Sequence, residues 1–310
     1  MKAQARVSVC PGLSFFAAHT RIGFYSIQSR HFFTCQIVDA RYVSPVNGWI
    51  EFRPQHIRLQ GIIERYLLRR LTPLRKSYSA RILPRSGPSL FIDLGRTSDV
   101  DRFQLNGLHE TFYCMPVEAG VQIDQIIVEF TPGALRSFSS VPMPLLRSQL
   151  LPVYELFGTP QEWSSLATAL IPHLPERRVL FLEEFLMAKL KEGQRTERLI
   201  YDIVHEMKQT NALHARAELE RRSSYGIRTL ERQFLDMTGM NRRSLLAVFR
   251  FERARDQLAL LEKESAGQSL TGIALDAGYY DQAQFNRDMK RRTGLPPGRL
   301  RGEIPACDDC

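Results

Sequence analysis

The sequence predicts an α+β protein: a β-rich mixed domain, then helices, then an all-helical domain with two helix-turn-helix units. Short apolar segments separated by turn residues run through residues 45–135, a pattern typical of strands. From about residue 145 onward, apolar residues recur three and four positions apart, as they do on one face of a helix. The last hundred residues contain a repeat, in which Thr238-Gly239 returns as Thr293-Gly294.

Strands are predicted wherever a short apolar segment ends at a turn signal. Three segments fit this description: Arg81–Leu83, Leu90–Leu94 and Gln122–Phe130. The stretch Ile57–Arg69 instead spaces its apolar residues at helical intervals, and we expect it to form a helix. The N-terminal domain should therefore mix strands with at least one helix.

Four later segments carry helical spacing, and prolines separate them. They are Leu145–Phe157, Trp163–Ile171, Leu180–Leu190 and Leu199–Met207. The polar stretch Lys191–Thr196 is a plausible joint, with Gly193 as a helix stop. We expect a flexible extension at 1–44, a sensor or regulatory domain at 45–190, a helical domain at 195–301 with units at about 213–240 and 269–294, and a tail at 302–310.

The second copy of the repeat reads as two helices joined by a tight turn. Ser269 begins the first helix, and Gly278 stands where the chain must turn, because glycine tolerates positive φ. Asp281 is a good N-cap for the second helix, which buries Phe285 and Met289. The opposite face of that helix then carries amides and a guanidinium, the groups that read base edges in a major groove.

Composition supports a polyanionic partner and excludes several classes. The chain has a formal charge of +9, and residues 213–301 carry six of those nine charges. No apolar run is long enough to span a membrane, so no membrane partner is expected. We find no Gly-rich phosphate loop, nucleophile elbow or paired catalytic carboxylates, so we expect neither an enzyme nor a cofactor.

The five cysteines are scattered and odd in number, which favours a reducing compartment, here the cytoplasm, over a disulfide scaffold. Cys307 and Cys310 are expected in a solvated tail, and the histidines show no metal spacing, with His205 on a helix surface. Residues 1–38 lack acids, as transit peptides do, but a flexible tail or sequence upstream of the true start is the preferred interpretation. Asp93 is either a turn aspartate, the preferred reading, or a buried carboxylate that holds an effector.

The segment 269–301 (SLTGIALDAGYYDQAQFNRDMKRRTGLPPGRLR) resembles the second helix-turn-helix of the AraC/XylS family of bacterial transcription regulators. Residues 219–240 resemble the first unit, and 244–258 resembles the helix that joins the two. Residues 63–70, 82–95 and 128–138, with the helices after 145, are similar to the sensor-like domain of one AraC branch. Arg85 stands there in place of the usual acid, which weakens any ligand role carried over from the family.

The resemblance implies a sequence-specific DNA-binding transcription regulator, activator or repressor, whose two recognition helices enter adjacent major grooves roughly 34 Å apart. The implied DNA-binding residues are Arg228, Thr229, Arg232, Gln282, Ala283, Gln284, Asn286, Arg287 and Lys290. Double-stranded DNA is the expected partner, and RNA polymerase, a small-molecule effector and a second copy of the chain are further candidates.

The first unit departs from the second at three positions, where Glu220, Ser224 and Gly226 replace Ala274, Gly278 and Asp281. Glutamate does not suit a tight helix contact, and glycine is a weaker cap than aspartate. The alternative hypothesis is therefore a protein-interaction module whose degenerate helix-turn-helix domain no longer reads DNA.

Overall fold

A seven-stranded antiparallel sheet forms the N-terminal part of the protein, with strand order β1-β2-β3-β8-β5-β6-β9. The computed structural model describes residues 42–43, 48–73, 75–96, 98, 102–191, 195–210, 221, 226–260, 269–300 and 307. The strands are β1 Tyr42–Val43, β2 Ile50–Phe52, β3 Ile63–Leu71, β4 Tyr78–Ile82, β5 Ser89–Asp93, β6 Phe103–Asn106, β7 Tyr113–Val117, β8 Ile123–Phe130 and β9 Leu150–Pro152. Strands β4 and β7 pair separately as a two-stranded sheet. The three predicted strands are confirmed as β4, β5 and β8.

The helix predicted over Ile57–Arg69 is wrong, because this stretch is a turn followed by β3. A β-bulge between Ile63 and Arg65 shifts the register against β8, so the apolar residues on either side fall out of phase. Beyond the bulge the side chains alternate strictly, with Tyr66 and Leu68 buried in the core. The bulge therefore produced the apparent helical spacing.

The helix predicted over Leu145–Phe157 is also wrong. The chain here forms short 3-10 turns at Met143–Leu146 and Val153–Glu155 with β9 between them. Prolines 144 and 152 lack the amide donors that a continuous helix needs. Leu145 is 68% exposed, so the apolar spacing does not mark one buried face.

Helices α1 Pro160–Leu170, α2 Pro175–Lys189 and α3 Arg195–Thr210 confirm the remaining helical predictions of this part. Helix α2 is fixed to the sheet by Arg178, whose guanidinium donates to both carboxylate oxygens of Asp124 at 2.5 and 3.0 Å. Both side chains are almost fully buried, at 3% and 5% exposure. His205 is exposed on α3, as predicted, and Gly193 lies outside the described residues.

The C-terminal part contains α4 Ile227–Thr238, α5 Arg242–Leu260, α6 Leu270–Asp276, α7 Gln282–Thr293 and a 3-10 turn at Pro297–Leu300. Helix α5 joins two hydrophobic cores. Its residues Val248 and Phe249 belong to the large core that also contains α4 and the sheet. Phe251 and Ala254 belong to a smaller core with α6 and α7. Within the part of the chain that the structure describes, no helix is long and apolar enough to cross a bilayer.

Cys307 forms a disulfide with Cys114 on β7, and its amide donates to the carbonyl of Ser79 on β4. The expectation that Cys307 lies in a solvated tail is therefore wrong. The pairing is not evident from the amino-acid sequence, because the two cysteines are 193 positions apart. Cys310 lies outside the described residues.

Candidate functional site

The second helix-turn-helix unit is built by α6 and α7. The hydroxyl of Ser269 accepts from the Gly272 amide and caps α6, as predicted. After α6 the chain turns at Gly278, whose φ of +91° suits glycine. Asp281 caps α7, because its carboxylate accepts from the amide of Gln284 at 2.6 Å. Helix α7 therefore begins where the sequence predicted.

Helix α7 buries Phe285 and Met289 completely against α5 and α6. Its other face is open to solvent, and the predicted contact residues on this face are all exposed: Gln282, Ala283, Gln284, Asn286, Arg287 and Lys290. We call these six residues the α7 outer face.

Two amides of the α7 outer face already have partners inside the protein. The Gln282 carbonyl oxygen accepts from the Thr271 hydroxyl at 2.8 Å, and that of Gln284 accepts from the Tyr280 amide at 2.9 Å. No described residue hydrogen-bonds the side chains of Asn286, Arg287 or Lys290. These three side chains are therefore available to a partner without breaking an internal contact.

The last turn of α7 holds one arginine that serves the fold. Arg292 is only 3% exposed, donates to the Asp288 carboxylate at 3.0 Å and lies over the Phe251 ring. Burial alone would raise the pKa of Asp288, but the charge of Arg292 and the hydrogen bonds from Arg291 and Arg292 hold it below its usual value. The Tyr279 hydroxyl donates to the same carboxylate, so Asp288 ties the turn to the helix.

The first unit is described from Gly226 onward, so Glu220 and Ser224 lie outside the described residues. Gly226 is the N-cap of α4 and provides no side-chain cap, as the sequence indicated. Arg228 and Arg232 are exposed and Thr229 is half-buried.

The repeated Thr-Gly pair has the same structure in both units. The hydroxyl of Thr238 donates to the Phe234 carbonyl and accepts from the Met240 amide. Thr293 makes the corresponding bonds, at 2.7 Å to the Met289 carbonyl and 3.0 Å from the Leu295 amide. Gly239 and Gly294 follow with φ of +71° and +74°. The repeat therefore encodes one helix-ending device used twice.

The second unit is held against the sheet domain by the β4–β7 pair and the loop that precedes β7. The Phe112 amide donates to the Arg292 carbonyl at 2.7 Å, and Arg81 donates to the Thr293 carbonyl at 2.8 Å. The Arg81 guanidinium also lies over the Phe112 ring. Any movement of α7 away from the sheet must break these contacts.

A cavity of about 540 Å³ lies between the sheet, the β4–β7 pair and α5. Helix α5 contributes Arg255 and Asp256 to the cavity wall. The Glu252 carboxylate, also on α5, accepts a hydrogen bond from the backbone amide of Ser86 at 2.9 Å. This cavity is not evident from the amino-acid sequence, because its walls come from segments far apart in the chain. Asp93 ends β5 at 5% exposure, ion-paired with Arg96, and is therefore both a strand-end residue and buried.

Three rows of side chains cross the cavity wall of the sheet. In the first row, the Glu129 carboxylate forms ion pairs with Arg65 at 2.5 Å and with Arg85 at 2.6 Å. Burial would lower the pKa of Arg65, but the charge of Glu129 and its hydrogen bond raise it above the usual value. The arginine that replaces the family's usual acid at position 85 therefore closes an ion pair here.

The next row along the strands is apolar, with Leu67, Ile127 and Phe91 directly opposite one another. The third row brings together Arg69 and Gln125, whose side chains hydrogen-bond at 2.7 and 2.9 Å. No group of three metal-ligating side chains occurs among the described residues.

Comparisons with known proteins agree with this geometry. Residues 219–303 match the family model described as "Helix-turn-helix domain", and residues 50–152 match "Domain of unknown function (DUF6597)". A comparison with curated proteins found no match.

Several solved structures of ToxT from Vibrio cholerae are similar. One is 13% identical over 77% of this chain and 98% of that chain, with a TM-score of 0.40. ToxT bound to an unsaturated fatty acid is 11% identical over 76% and 94%, with a TM-score of 0.39. ToxT bound to (E)-4-(8-methylnaphthalen-1-yl)but-3-enoic acid is 13% identical over 77% and 98%, with a TM-score of 0.40.

The capped helix α7, the repeated Thr-Gly ending and the helix-turn-helix match over 219–303 all concern the same part of the chain. The protein thus has an AraC-type helix-turn-helix domain at its C-terminus, preceded by a DUF6597 domain over residues 50–152.

Proposed function

We propose that the protein binds specific DNA sequences through α4 and α7, each placed in one of two adjacent major grooves. The observation that carries this proposal is the α7 outer face, where Asn286, Arg287 and Lys290 are exposed and uncommitted on a helix capped at both ends. An arginine can pair with guanine and an asparagine with adenine, whereas a lysine contributes mainly through phosphate.

The corresponding proposal for α4 uses Arg228, Thr229 and Arg232. Arg228 lies in the first turn after the Gly226 cap, and Arg232 follows one turn later, so both are on one side of the helix. The contact set proposed for sequence reading is therefore the α7 outer face together with these three residues.

The test is selection of bound sequences from random duplex DNA with the full chain, because the core of α4 is continuous with the sheet domain. A recovered site with two half-sites about one helical turn apart is the expected result. Arg287→Ala should weaken binding to that site by about 5- to 150-fold, as loss of one guanine contact does. Arg232→Ala should affect the other half-site.

Lys290→Ala is the matched control on the same helix. It should weaken binding to the selected site and to random DNA equally. It should also reduce the slope of the logarithm of the binding constant against the logarithm of the salt concentration by about one unit. If no sequence is enriched and binding is insensitive to salt, the protein does not read DNA. The alternative, an interaction module with a degenerate first unit, would then hold, and the uncapped start of α4 favours it.

We also propose that the cavity between the sheet and α5 binds a small-molecule effector. Its volume lies in the usual range for ligand sites, and α5 joins both helix-turn-helix units. A ligand that contacts Arg255 or Asp256 would therefore touch the DNA-binding part directly.

Transcriptional control through RNA polymerase, pairing of two copies of the chain and action in the cytoplasm belong to the same proposal. Light scattering with and without the selected duplex measures the number of copies bound. One copy per duplex would mean that a single chain spans both half-sites, and two copies would mean that the chain pairs on DNA.

A further inference from the structure

We infer that the cavity takes an organic anion with a flat apolar body, whose negative group pairs with Arg69. The inference names the ligand class for the effector site proposed above and rests on that proposal. Six arginines but only two carboxylates line the cavity: Arg65, Arg69, Arg81, Arg85, Arg96 and Arg255 against Glu129 and Asp256.

Most of these arginines already have a partner with negative charge. Arg65 and Arg85 share Glu129, while Arg96 pairs with Asp93 at 3.5 Å and Arg255 with Asp256 at 2.7 Å. Arg81 is engaged by the Thr293 carbonyl. The charges of Arg65, Arg85, Arg96 and Arg255 are therefore balanced by carboxylates of the protein itself, and Arg81 is bonded to the end of α7.

Arg69 differs, because no described carboxylate forms an ion pair with it. Its Nε and Nη2 both donate to the neutral side-chain oxygen of Gln125, and its guanidinium lies 4.4 Å from the centre of the Trp49 ring. Burial lowers the pKa of Arg69, whereas its hydrogen bond with Tyr78 and the charge of Asp93 raise it, and the guanidinium keeps its proton. Asp93 is itself paired with Arg96, so an anion in the cavity would give Arg69 the direct ion pair that no described carboxylate provides.

The neighbours of Arg69 fix its position in advance. Gln125 lies directly opposite Arg69 on β8, and its amide nitrogen donates to Asp93 at 3.2 Å. This bond turns the amide oxygen toward Arg69, and Trp49 holds the guanidinium from one side. Little ordering is then left for a ligand to bring about.

The apolar row of Leu67, Ile127 and Phe91 stands between the Arg69 row and the Glu129 row. Alternate residues of a strand are about 7 Å apart, so an apolar body attached to a negative group at Arg69 would extend over the apolar row. A ligand with this shape can lie on the apolar row and reach Arg69. At the other end it meets Glu129, which two arginines already neutralise.

The test is calorimetric titration of the full chain with 2-naphthoate and with 2-naphthamide, which have the same body but differ in charge. Naphthoate should bind with one-to-one stoichiometry and about tenfold or more tighter than the amide, as a charge-assisted bond provides. In Arg69→Gln, naphthoate should lose about tenfold or more and naphthamide should change less than about twofold. Titration with 2-naphthyl phosphate shows whether the site prefers a phosphate or a carboxylate.

Arg96→Gln is the matched control, since Arg96 lines the same cavity but is paired with Asp93. It should leave naphthoate affinity within about threefold of the parent chain. Equal affinity for naphthoate and naphthamide in the parent chain, no binding of either anion at millimolar concentration, or unchanged naphthoate affinity in Arg69→Gln would overturn the inference. If Arg69→Gln does not fold, Arg69→Lys replaces it, and loss of the preference for naphthoate in that charged variant would count against a charge-based site.

DNA binding measured on the same proteins separates this inference from the proposed function. Anion binding without DNA binding would rule out the proposed DNA-binding function and support the anion site. DNA binding without naphthoate binding would support the proposed function and rule out the anion site.

Discussion

Replacement of Asp281 by alanine should loosen the first turn of α7 without unfolding the rest of the protein. The carboxylate accepts from the Gln284 amide at 2.6 Å, and Gln284 in turn accepts from the Tyr280 amide at 2.9 Å. Alanine removes the first bond directly and leaves an amide of the helix start without its acceptor. It also removes a negative charge from the positive end of the helix dipole.

An N-cap substitution of this kind costs about 0.5–2 kcal/mol, and we expect the upper half of that range because the bond is short and charge-assisted. In hydrogen exchange, about 1–2 kcal/mol corresponds to about 5- to 30-fold lower protection of the Gln284 amide and its neighbours. Asp281→Asn keeps an acceptor and should lose about half as much.

Gly226→Asp is the reciprocal experiment at the start of α4. A Cβ at this position meets nothing within 4 Å, so the aspartate can supply the missing cap. The free energy of opening measured by hydrogen exchange in the first turn of α4 should therefore rise by between a few tenths of a kcal/mol and about 1 kcal/mol. Unchanged protection of α7 in Asp281→Ala, or an equal loss in Asp281→Asn, would show that the Asp281 carboxylate does not hold the first turn of α7.

Three further results are expected. Arg178→Ala should destabilise the protein in urea unfolding, toward the lower end of about 3–5 kcal/mol, because it leaves the buried Asp124 carboxylate with only the exposed Arg70 at 3.4 Å. Asp124→Asn should rescue part of this loss in the double variant, and no rescue would contradict the account. Burial alone would raise the pKa of Glu64, but the charges of Lys208 and of nearby arginines lower it to about 2. The stability that ionised Glu64 contributes is therefore present above pH 4.5 and is lost as the pH falls toward 2. Over that range the urea midpoint of Glu64→Gln should fall less steeply than that of the parent chain. Gly294→Ala should lower the free energy of unfolding by about 1–3 kcal/mol in thermal unfolding, since φ is +74° and a Cβ would lie 2.7 Å from a ring carbon of Phe112. A loss smaller than that at an unstrained surface position would argue against this geometry.

Features that depend on neighbouring residues were predicted well from the sequence. The caps at Ser269 and Asp281, the turn at Gly278 and the burial of Phe285 follow from rules that act within one or two helical turns. Strands β4, β5 and β8 were found because turn residues bound them on both sides.

The errors arose where tertiary structure changes the local pattern. A bulge at the start of β3 mimics helical spacing, and a proline-rich edge strand near Leu150 looks like a helix when only its leucines are counted. The proposed anion site is not evident from the sequence for a related reason. Arg69 looks like any surface arginine until β8 brings Gln125 opposite it and fixes its guanidinium at the cavity wall.

The bond between Cys114 and Cys307 closes a covalent loop of 193 positions, which includes α1 to α7. A single backbone cut anywhere inside this loop would leave the two fragments attached, and they would migrate as one species until a thiol reagent is added. Limited proteolysis resolved on paired gels, with and without such a reagent, therefore reports directly whether the ring is closed in the isolated protein.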